Sequence, residues 1–288
     1  MSECNHNSSA IEGGLVADLS SAKSSRWLAF VAAVQFLTRI PLLTETLPPA
    51  DVLGRSPVFF PLVGALIGVF TTAATSLGAL VWPPWLAVLV ALGFEALLTG
   101  GFHEDAVADF CDAFGGGRTR DQTLAIFKDS RIGAFGALGL LVLFSLRAGA
   151  ITTLIGQWGV GGWPIWGSAL VASSALGRYV MVLAMALLPP AAGRESLARA
   201  VGSTLSRWDW AASSVWVALA TAPFVILLPV QFLVAVLMLL AAALGLLLVV
   251  LRRLGGITGD CLGCLGYIGQ VAVLLAAAAR KQPWTPLF

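Results

Sequence analysis

Long apolar runs constrain this chain more than any other feature of its sequence. Six of them occur, at residues 58–81, 85–101, 132–155, 163–188, 210–228 and 231–251. An α-helix needs about 20 apolar residues to cross the roughly 30 Å hydrocarbon core of a bilayer. Apolar residues make up 58% of the chain, which exceeds their share in soluble domains. The sequence therefore predicts an all-α, polytopic integral membrane bundle with six or seven transmembrane helices, in contact with the lipid bilayer.

The loops between these runs alternate in charge. The loops at 82–84, 156–162 and 229–230 contain no charged residue, and the other loops hold the arginines and lysines. Loops rich in lysine and arginine stay on the cytoplasmic side of a membrane. The alternation therefore places the charged loops in the cytoplasm, together with the N-terminal tail.

The N-terminal tail, residues 1–25, is polar and precedes the first apolar run. Residues 1–25 lack the apolar core of a secretory signal peptide, and we expect a disordered cytoplasmic tail. Residues 26–288 then form a single membrane-embedded catalytic domain. The net charge of +2 and the scattering of basic residues over several loops argue against a nucleic-acid partner. The sequence leaves open whether the chain forms a homo-oligomer.

Two apolar runs are too short or too interrupted to be confident spans. The run at 27–43 contains Gln35, Arg39 and Pro41, and we expect an interfacial or re-entrant helix there. The run at 267–279 is shorter still. We expect it to dip into the bundle rather than to cross it.

The stretch 100–133 reads GGFHEDAVADFCDAFGGGRTRDQTLAIFKDSRIG and lies between two apolar runs. It holds six of the fifteen acidic and four of the seventeen basic residues of a chain that is only 11% charged. Charged groups are costly near lipid and are seldom gathered there without a function. We therefore predict that this stretch is the active-site loop.

The acidic residues of this stretch fit a metal site. On a helix, Asp105, Asp109 and Asp112 fall on one face because they are spaced i, i+4 and i+7, and Glu104 adjoins them. Carboxylates this close repel one another unless a cation lies among them. Oxygen ligands select a hard ion such as Mg²⁺, Mn²⁺ or Ca²⁺, and only two histidines are present, which excludes a multi-histidine zinc site. The alternative is a solvated acidic helix face.

Glycines and basic residues follow the acidic residues. Three successive glycines at 115–117 would let backbone N–H groups approach a phosphate, and arginine binds oxyanions through two parallel hydrogen bonds. The basic residues are Arg118, Arg120, Lys128 and Arg131. A carboxylate-held metal, a glycine loop and arginines are the parts that phosphoryl transfer needs. Each part alone has a plainer explanation, since glycine runs are common in loops and arginines at a membrane edge set topology.

These motifs carry a resemblance to a known family. The string GGFHEDAVADFCDAFGGG, followed by KDSRIGAFG, resembles the signature of cobalamin synthase, that is adenosylcobinamide-GDP ribazoletransferase. Four further segments resemble family segments in the family's order: FLTRIPL at 36–42, FPLVGALIG at 60–68, GRYVMV at 177–182 and GGITGDCLG at 255–263. The resemblance covers residues 26 to 280 approximately.

The resemblance implies a function. It implies a bacterial inner-membrane transferase that joins adenosylcobinamide-GDP to α-ribazole, or to α-ribazole 5′-phosphate. The products would be GMP and adenosylcobalamin, or adenosylcobalamin 5′-phosphate. A ribose hydroxyl would attack the phosphate joined to cobinamide, at an active site that faces the cytoplasm.

Residues of the sequence take three roles in the implied reaction. The carboxylates would hold Mg²⁺, at Glu104, Asp105, Asp109 and Asp112. The catalytic residues would accept the proton or steady the diphosphate: His103, Glu104, Lys128, Asp129 and Arg131. The substrate-binding residues would be Gly115, Gly116, Gly117, Arg118, Arg178, Arg194 and Asp260.

Three charged residues lie inside predicted spans, at Glu95, Arg147 and Arg178. A charge in the membrane is expected to face the bundle interior or a water-filled cavity. Glu95 and Arg147 are candidates for a structural ion pair. Arg178 lies in the GRYVMV string and is the stronger candidate for a functional role.

Two other functions fit parts of the pattern. A phosphatidyl-alcohol phosphotransferase also pairs clustered aspartates with membrane helices, but its pattern has an arginine after the alanine, where Ala108 is followed here by Asp109. A cation transporter would place its acidic cluster at the middle of the membrane between broken helices. The acidic cluster of this chain lies instead in a charged loop.

Overall fold

The computed structural model describes residues 26–42, 50–191 and 206–279, and within them the secondary structure is helical apart from one isolated bridge between Pro190 and Ile257. These residues form eleven α-helices and two short 3₁₀ helices, at Ser56–Phe59 and Val160–Gly162. The α-helices are α1 (Arg26–Leu37), α2 (Ala50–Arg55), α3 (Phe60–Gly78), α4 (Pro84–Thr99), α5 (Phe102–Gly116), α6 (Arg120–Ile126), α7 (Ala134–Trp158), α8 (Trp163–Leu187), α9 (Arg207–Leu227), α10 (Pro229–Leu254) and α11 (Gly259–Ala278).

Local signals in the sequence begin most of these helices. Proline lies in the first turn of α3, α4, α8 and α10, where its missing N–H and fixed φ cost nothing. Thr119 and Ser206 each accept a hydrogen bond from the backbone three residues later and complete a capping box, which begins α6 and α9. Thr258 caps α11 in the same way, by accepting from the N–H of Cys261.

Among the described residues, six helical segments are long and apolar enough to cross a membrane, and the count rises to seven if α4 and α5 are one bent span. They are Val52–Gly78, Ala134–Trp158, Val160–Leu187, Trp208–Leu227, Pro229–Leu254 and Gly259–Ala278. This confirms the predicted all-α polytopic bundle and its number of spans. Helix α1 is too short to cross, as its interrupted sequence predicted.

The structure corrects the run at 267–279 and adds a bend after the predicted span at 85–101. The run at 267–279 does not fall short of a crossing, because it is the second half of α11, a 20-residue apolar helix. The first half of α11 is rich in glycine and contains Asp260. These residues lower its mean hydropathy, so the apolar run in the sequence covers only the second half of the helix. The predicted span at 85–101 corresponds to α4, which runs from the loop at 82–84 to the stretch 100–133 and is long enough for a crossing only when it is counted together with α5, across a bend of 90°.

A contact of α11 shows at which end of the bundle its last turn lies. The side chain of Gln157, near the end of α7, donates to the carbonyl of Ala278 over 2.8 Å. The last turn of α11 therefore lies at the end of the bundle that carries the uncharged loops, which we call the apolar end. The opposite end, formed by residues 39–42, 100–133 and 255–258, is called the charged end.

Helices α8 and α11 form the centre of the bundle. Helix α8 packs most extensively against α3 and α11, and α11 packs in turn against α10 and α5. Glycines allow the closest of these approaches. A Cβ at Gly64 of α3 would lie 2.5 Å from the carbonyl oxygen of Ser174 in α8, and a Cβ at Gly263 of α11 would meet the side chain of Ala106 in α5. These sites permit only glycine at the observed helix separation.

Two consecutive glycines make the elbow between α4 and α5. Gly100 and Gly101 have φ angles of 71° and 67°, in the left-handed region that side chains disfavour. The Gly101 N–H donates to Ala96 at the end of α4, and the Gly101 carbonyl accepts from Asp105 in the first turn of α5. The elbow therefore ends one helix, begins the next and turns α5 across the charged end.

Candidate active site

A cleft of about 680 Å³ opens at the charged end of the bundle. It lies between the end of α1, the elbow, α5 and the start of α7. Its lining combines carboxylate, guanidinium, amide and hydroxyl groups with apolar side chains: Gln35, Phe36, Thr38, Arg39, Thr99, Gly100, Gly101, Phe102, Glu104, Asp105, Ala108, Ile132 and Leu140. A concave site with a few convergent polar groups is the usual form of a ligand-binding site.

Helix α5 carries the predicted acidic residues, and the helical prediction for 104–112 is confirmed. Glu104 and Asp105 line the cleft, with the Glu104 side chain 16% exposed. Asp109 is half-buried and lies one turn further along α5. The structure therefore brings the first two acidic residues of the motif to the cleft.

Asp112 has a structural contact of its own. Its two carboxylate oxygens accept hydrogen bonds from the N–H groups of Gly133 and Gly136, over 2.7 and 2.8 Å. These are backbone donors at the start of α7, which otherwise have no partner within the helix. Asp112 therefore caps α7 from another helix, and a Cβ at Gly133 or Gly136 would collide with its carboxylate.

The described residues contain no group of three or more histidine, cysteine, aspartate or glutamate side chains arranged to hold a metal ion. Magnesium does not require such a group, because it is usually held by one or two carboxylates, substrate phosphates and water. Asp105 and Asp109 are spaced by one helical turn, and Asp105 lines the cleft. The residues present therefore suit an ion that binds together with a phosphorylated substrate.

A buried ion pair lies behind the cleft. The Arg147 Nη2 atom of α7 donates to both carboxylate oxygens of Glu95 in α4, over 2.7 and 2.8 Å, and Thr71 of α3 donates to the same carboxylate over 2.5 Å. This confirms the pairing predicted from the sequence. The Arg147 Nη1 atom also lies 4.0 Å from Glu104. Arg147 therefore connects the carboxylate inside the bundle with the one that lines the cleft.

Arg178 and His103 lie inside the bundle, outside the lining of the cleft. The Arg178 side chain is fully buried, and its guanidinium donates over 3.4 Å to the Ser174 carbonyl of its own helix. No carboxylate among the described residues lies within 4.0 Å of it. His103 is also buried, and neither ring nitrogen has a hydrogen-bond partner within the described part of the chain. Neither residue is among those that line the cleft.

The residues from the end of α5 to the loop after α6 lie outside the lining of the cleft. A Cβ at Gly117 would collide with Thr123 of α6, so this glycine serves the close approach of the loop to α6. Gly115, Gly116, Arg118 and Lys128 are exposed. Arg253, at the end of α10, donates to the Gly117 carbonyl and lies over the Phe114 ring, which ties the loop to the bundle.

Asp129 and Arg131 pair with each other. The guanidinium of Arg131 contacts the Asp129 carboxylate over 2.6 Å. This hydrogen bond lowers the pKa of the Asp129 carboxyl to about 2. Both residues were predicted to be catalytic, and neither lines the cleft.

Two predicted substrate-binding residues remain. Arg194 lies outside the described residues. Asp260 lies in the first turn of α11 at the charged end, next to the Thr258 cap. It is half-buried and is not part of the cleft lining.

The sequence reasoning missed the contribution of α1 to the site. Gln35 and Arg39 line the cleft, although we noted them only as interruptions of an apolar run. The signal that could have identified them is the repeated interruption of one apolar run by polar residues.

Comparison with known proteins gives the family. The sequence model of the CobS family, described as cobalamin-5-phosphate synthase, matches residues 29–278, which include every residue that lines the cleft. The chain belongs to this family. The family match does not favour either of the two other functions that fit parts of the sequence pattern, a lipid phosphotransferase and a cation transporter.

Curated relatives of this cobalamin-5-phosphate synthase family member share one name. The adenosylcobinamide-GDP ribazoletransferase of Leptothrix cholodnii is 37% identical over 85% of this chain and 93% of its own length. The protein of the same name from Bradyrhizobium diazoefficiens is 35% identical over 87% and 93%, and that from Rhizobium etli is 38% identical over 85% and 94%. No solved structure matches the chain.

Proposed function

We propose that this protein is a membrane-embedded adenosylcobinamide-GDP ribazoletransferase. It joins adenosylcobinamide-GDP to α-ribazole or α-ribazole 5′-phosphate and releases GMP, forming adenosylcobalamin or its 5′-phosphate. The observation that carries the proposal is the cleft, which lies within the family match and holds Glu104 and Asp105 of the acidic motif. The shared name of the relatives supplies the substrates.

The reaction needs one bond to form and one to break. A ribose hydroxyl of α-ribazole attacks the phosphorus bound to cobinamide. The bond from that phosphorus to the bridging oxygen of the diphosphate breaks, and GMP leaves with the bridging oxygen. The hydroxyl proton passes to a base of the protein or to water.

Glu104 is our candidate for the proton acceptor. Its carboxylate lines the cleft, and one oxygen has no hydrogen-bond partner within the described part of the chain. His103 was the other candidate from the sequence, but its ring is buried outside the lining of the cleft. A base must come within hydrogen-bond reach of the proton it accepts, which favours Glu104.

Asp105 and Asp109 would hold magnesium. A bound magnesium ion neutralises charge on the diphosphate oxygens and so stabilises the transition state. Asp112 is left out of this set because both of its oxygens already accept hydrogen bonds from α7. Asp105 lines the cleft in which such an ion and a diphosphate would bind, and Asp109 follows it by one turn of α5.

We place the charged end of the bundle in the cytoplasm of the bacterial inner membrane. Exposed cations lie at this end, among them Arg118, Lys128 and Arg252. Such residues favour the cytoplasmic side. Water-soluble substrates made in the cytoplasm would then reach the cleft directly.

The test is turnover by the purified protein in lipid nanodiscs. Adenosylcobinamide-GDP and α-ribazole or its 5′-phosphate are supplied with Mg²⁺ or with excess EDTA, and GMP and the cobalamin product are measured. We expect activity with Mg²⁺, and a loss of about 100-fold or more for Asp105→Asn, because transition-state charge is then poorly neutralised.

Asp121→Asn is the matched control, because Asp121 is an exposed aspartate of α6 outside the cleft. It should retain the activity of the unaltered protein. Equal turnover in EDTA would contradict the role of the metal. The absence of GMP release with either form of α-ribazole would contradict the proposed function.

A further inference from the structure

Arg39 occupies a fixed position at the edge of the cleft. Its backbone N–H donates to the carbonyl of Leu98, near the end of α4, over 2.7 Å. The preceding residue, Thr38, donates its hydroxyl to Val34 over 2.7 Å and accepts from the N–H of Ile40 over 3.3 Å. The first contact ties Arg39 to the end of α4 beside the elbow, and the two contacts of Thr38 fix the backbone on either side of Arg39.

The elbow also positions the Arg39 side chain. A Cβ at Gly100 would collide with the Arg39 Nε atom and lie 3.0 Å from its Cγ and Cδ atoms. The arginine side chain therefore runs across the backbone of Gly100, in the space that any other residue would fill. Gly100 therefore allows both the bend of 90° between α4 and α5 and the placement of the Arg39 guanidinium in the cleft.

The guanidinium of Arg39 is free to bind a ligand. No hydrogen bond or ion pair joins it to another residue of the described ranges, although Glu104 and Asp105 line the same cleft. Arg147 is paired with Glu95 behind the cleft. Among the described residues that line the cleft, Arg39 is the only lysine or arginine.

Arginine suits oxyanions because its planar fork donates two parallel hydrogen bonds to a phosphate. The lining of the cleft combines such a donor with the carboxylates of Glu104 and Asp105, and these are the groups that a metal-bound diphosphate requires. The cations that the sequence suggested for this task, Lys128 and Arg131, lie outside the lining of the cleft.

We propose that Arg39 is the diphosphate-binding residue of the active site, and that it holds the phosphate oxygens of adenosylcobinamide-GDP opposite the α5 carboxylates. The proposal rests on the proposed function for the identity of the substrate. The oxyanion site itself is a property of the cleft and can be tested without turnover. A phosphate of a lipid headgroup has the same chemistry, so the experiment separates the two sources.

The experiment compares Arg39→Gln and Arg39→Lys with the unaltered protein in nanodiscs. The first measurement is the Kd for inorganic diphosphate with Mg²⁺, in nanodiscs of zwitterionic lipid and again with anionic lipid. The second is the KM for each substrate in the transfer reaction. Arg252→Gln is the matched control, because Arg252 is an exposed arginine at the same end of the bundle and outside the cleft.

We expect Arg39→Gln to raise the Kd for diphosphate and the KM for adenosylcobinamide-GDP about 10- to 100-fold, as for the loss of hydrogen bonds to a charged group. The KM for α-ribazole should not change, and Arg39→Lys should recover part of the loss because it keeps the charge but not the fork. Both lipid compositions should give the same result. Arg252→Gln should bind like the unaltered protein.

Several outcomes would overturn the proposal. One is unchanged diphosphate binding by a folded Arg39→Gln variant, and another is the absence of diphosphate binding by the unaltered protein. An equal loss in Arg252→Gln would also overturn it, as would an effect of Arg39 seen only with anionic lipid, which would assign the residue to a headgroup. Diphosphate binding that depends on Arg39 in a protein without transferase activity would instead refute the proposed function and leave the oxyanion site standing.

Discussion

The buried pair of Glu95 and Arg147 gives the most quantitative prediction. The perturbation is Arg147→Met, which removes the guanidinium and keeps an apolar side chain of similar length. Glu95 would remain 3% exposed, with Thr71 as its other hydrogen-bond donor. A buried carboxylate without a counter-ion is strongly unfavourable.

The magnitude follows from the geometry. Two contacts of 2.7 and 2.8 Å place the charge centres about 4 Å apart, and two unit charges at this separation attract by about 4 kcal/mol at an effective dielectric constant near 20. We expect Arg147→Met to lower the free energy of unfolding by about 3 to 5 kcal/mol. Glu95→Gln should cost less, because Arg147 keeps Glu104 at 4.0 Å as a second partner.

The assay is equilibrium unfolding of the two single variants and the double variant in mixed micelles of a mild detergent and sodium dodecyl sulfate. The double variant removes both charges, so its loss should be smaller than the sum of the single losses by about 2 to 4 kcal/mol. The reasoning would be refuted if the losses of the two single variants summed to the loss of the double variant within about 0.5 kcal/mol. Such additivity would show that the two charges do not stabilise each other.

Three further predictions concern single contacts. Asp112→Ala should lower the free energy of unfolding by about 1 to 3 kcal/mol, because two backbone N–H groups of α7 lose their acceptor; thermal unfolding in detergent measures this. Gly64→Ala should destabilise by about 1 to 3 kcal/mol in the same measurement, because its Cβ would meet the backbone of α8. Arg131→Gln should return the pKa of Asp129 from about 2 toward its ordinary value of 3.8, as followed by carboxyl NMR. The lowered pKa means that any stabilisation from the Asp129–Arg131 pair is complete above the ordinary value and is lost as the pH falls toward about 2.

Controls exist for these predictions in the same chain. Gly93 of α4 has open space where a Cβ would lie, so Gly93→Ala should be neutral or slightly stabilising. An equal loss for Gly93→Ala and Gly64→Ala would contradict the packing explanation, because a Cβ at Gly93 meets no neighbouring atom. Full stability of Asp112→Ala would mean that the α7 donors find another acceptor. An unshifted Asp129 pKa in Arg131→Gln would contradict the pairing.

The sequence predicted the parts of this molecule that depend on local pattern. Asp105, Asp109 and Asp112 were placed on one helix by their spacing and lie on α5, and the two opposite charges in neighbouring spans predicted the Glu95–Arg147 pair. Both predictions required only a helical period and the cost of an unpaired charge in the membrane.

What the sequence could not predict depends on contacts between distant elements. The cap that Asp112 provides involves backbone groups 21 and 24 residues away, and these could not be located before α7 was placed. The place of Arg39 in the cleft depends on an elbow whose direction follows from two backbone angles. Helix α11 was underestimated because its glycines lower its mean hydropathy, although they permit its close packing against α5 and α8.

The packing of α11 against α5 has a consequence for biosynthesis. Residues 102–116 leave the ribosome long before residues 259–278, yet the second segment provides the surface on which the first one rests, at the contact of Ala106 with Gly263. All of the acidic motif therefore exists in the nascent chain before its support does. The packing of α5 is therefore completed only when the last helix is in place, and a chain that stops before α11 contains the acidic motif without the helix that packs most extensively against it.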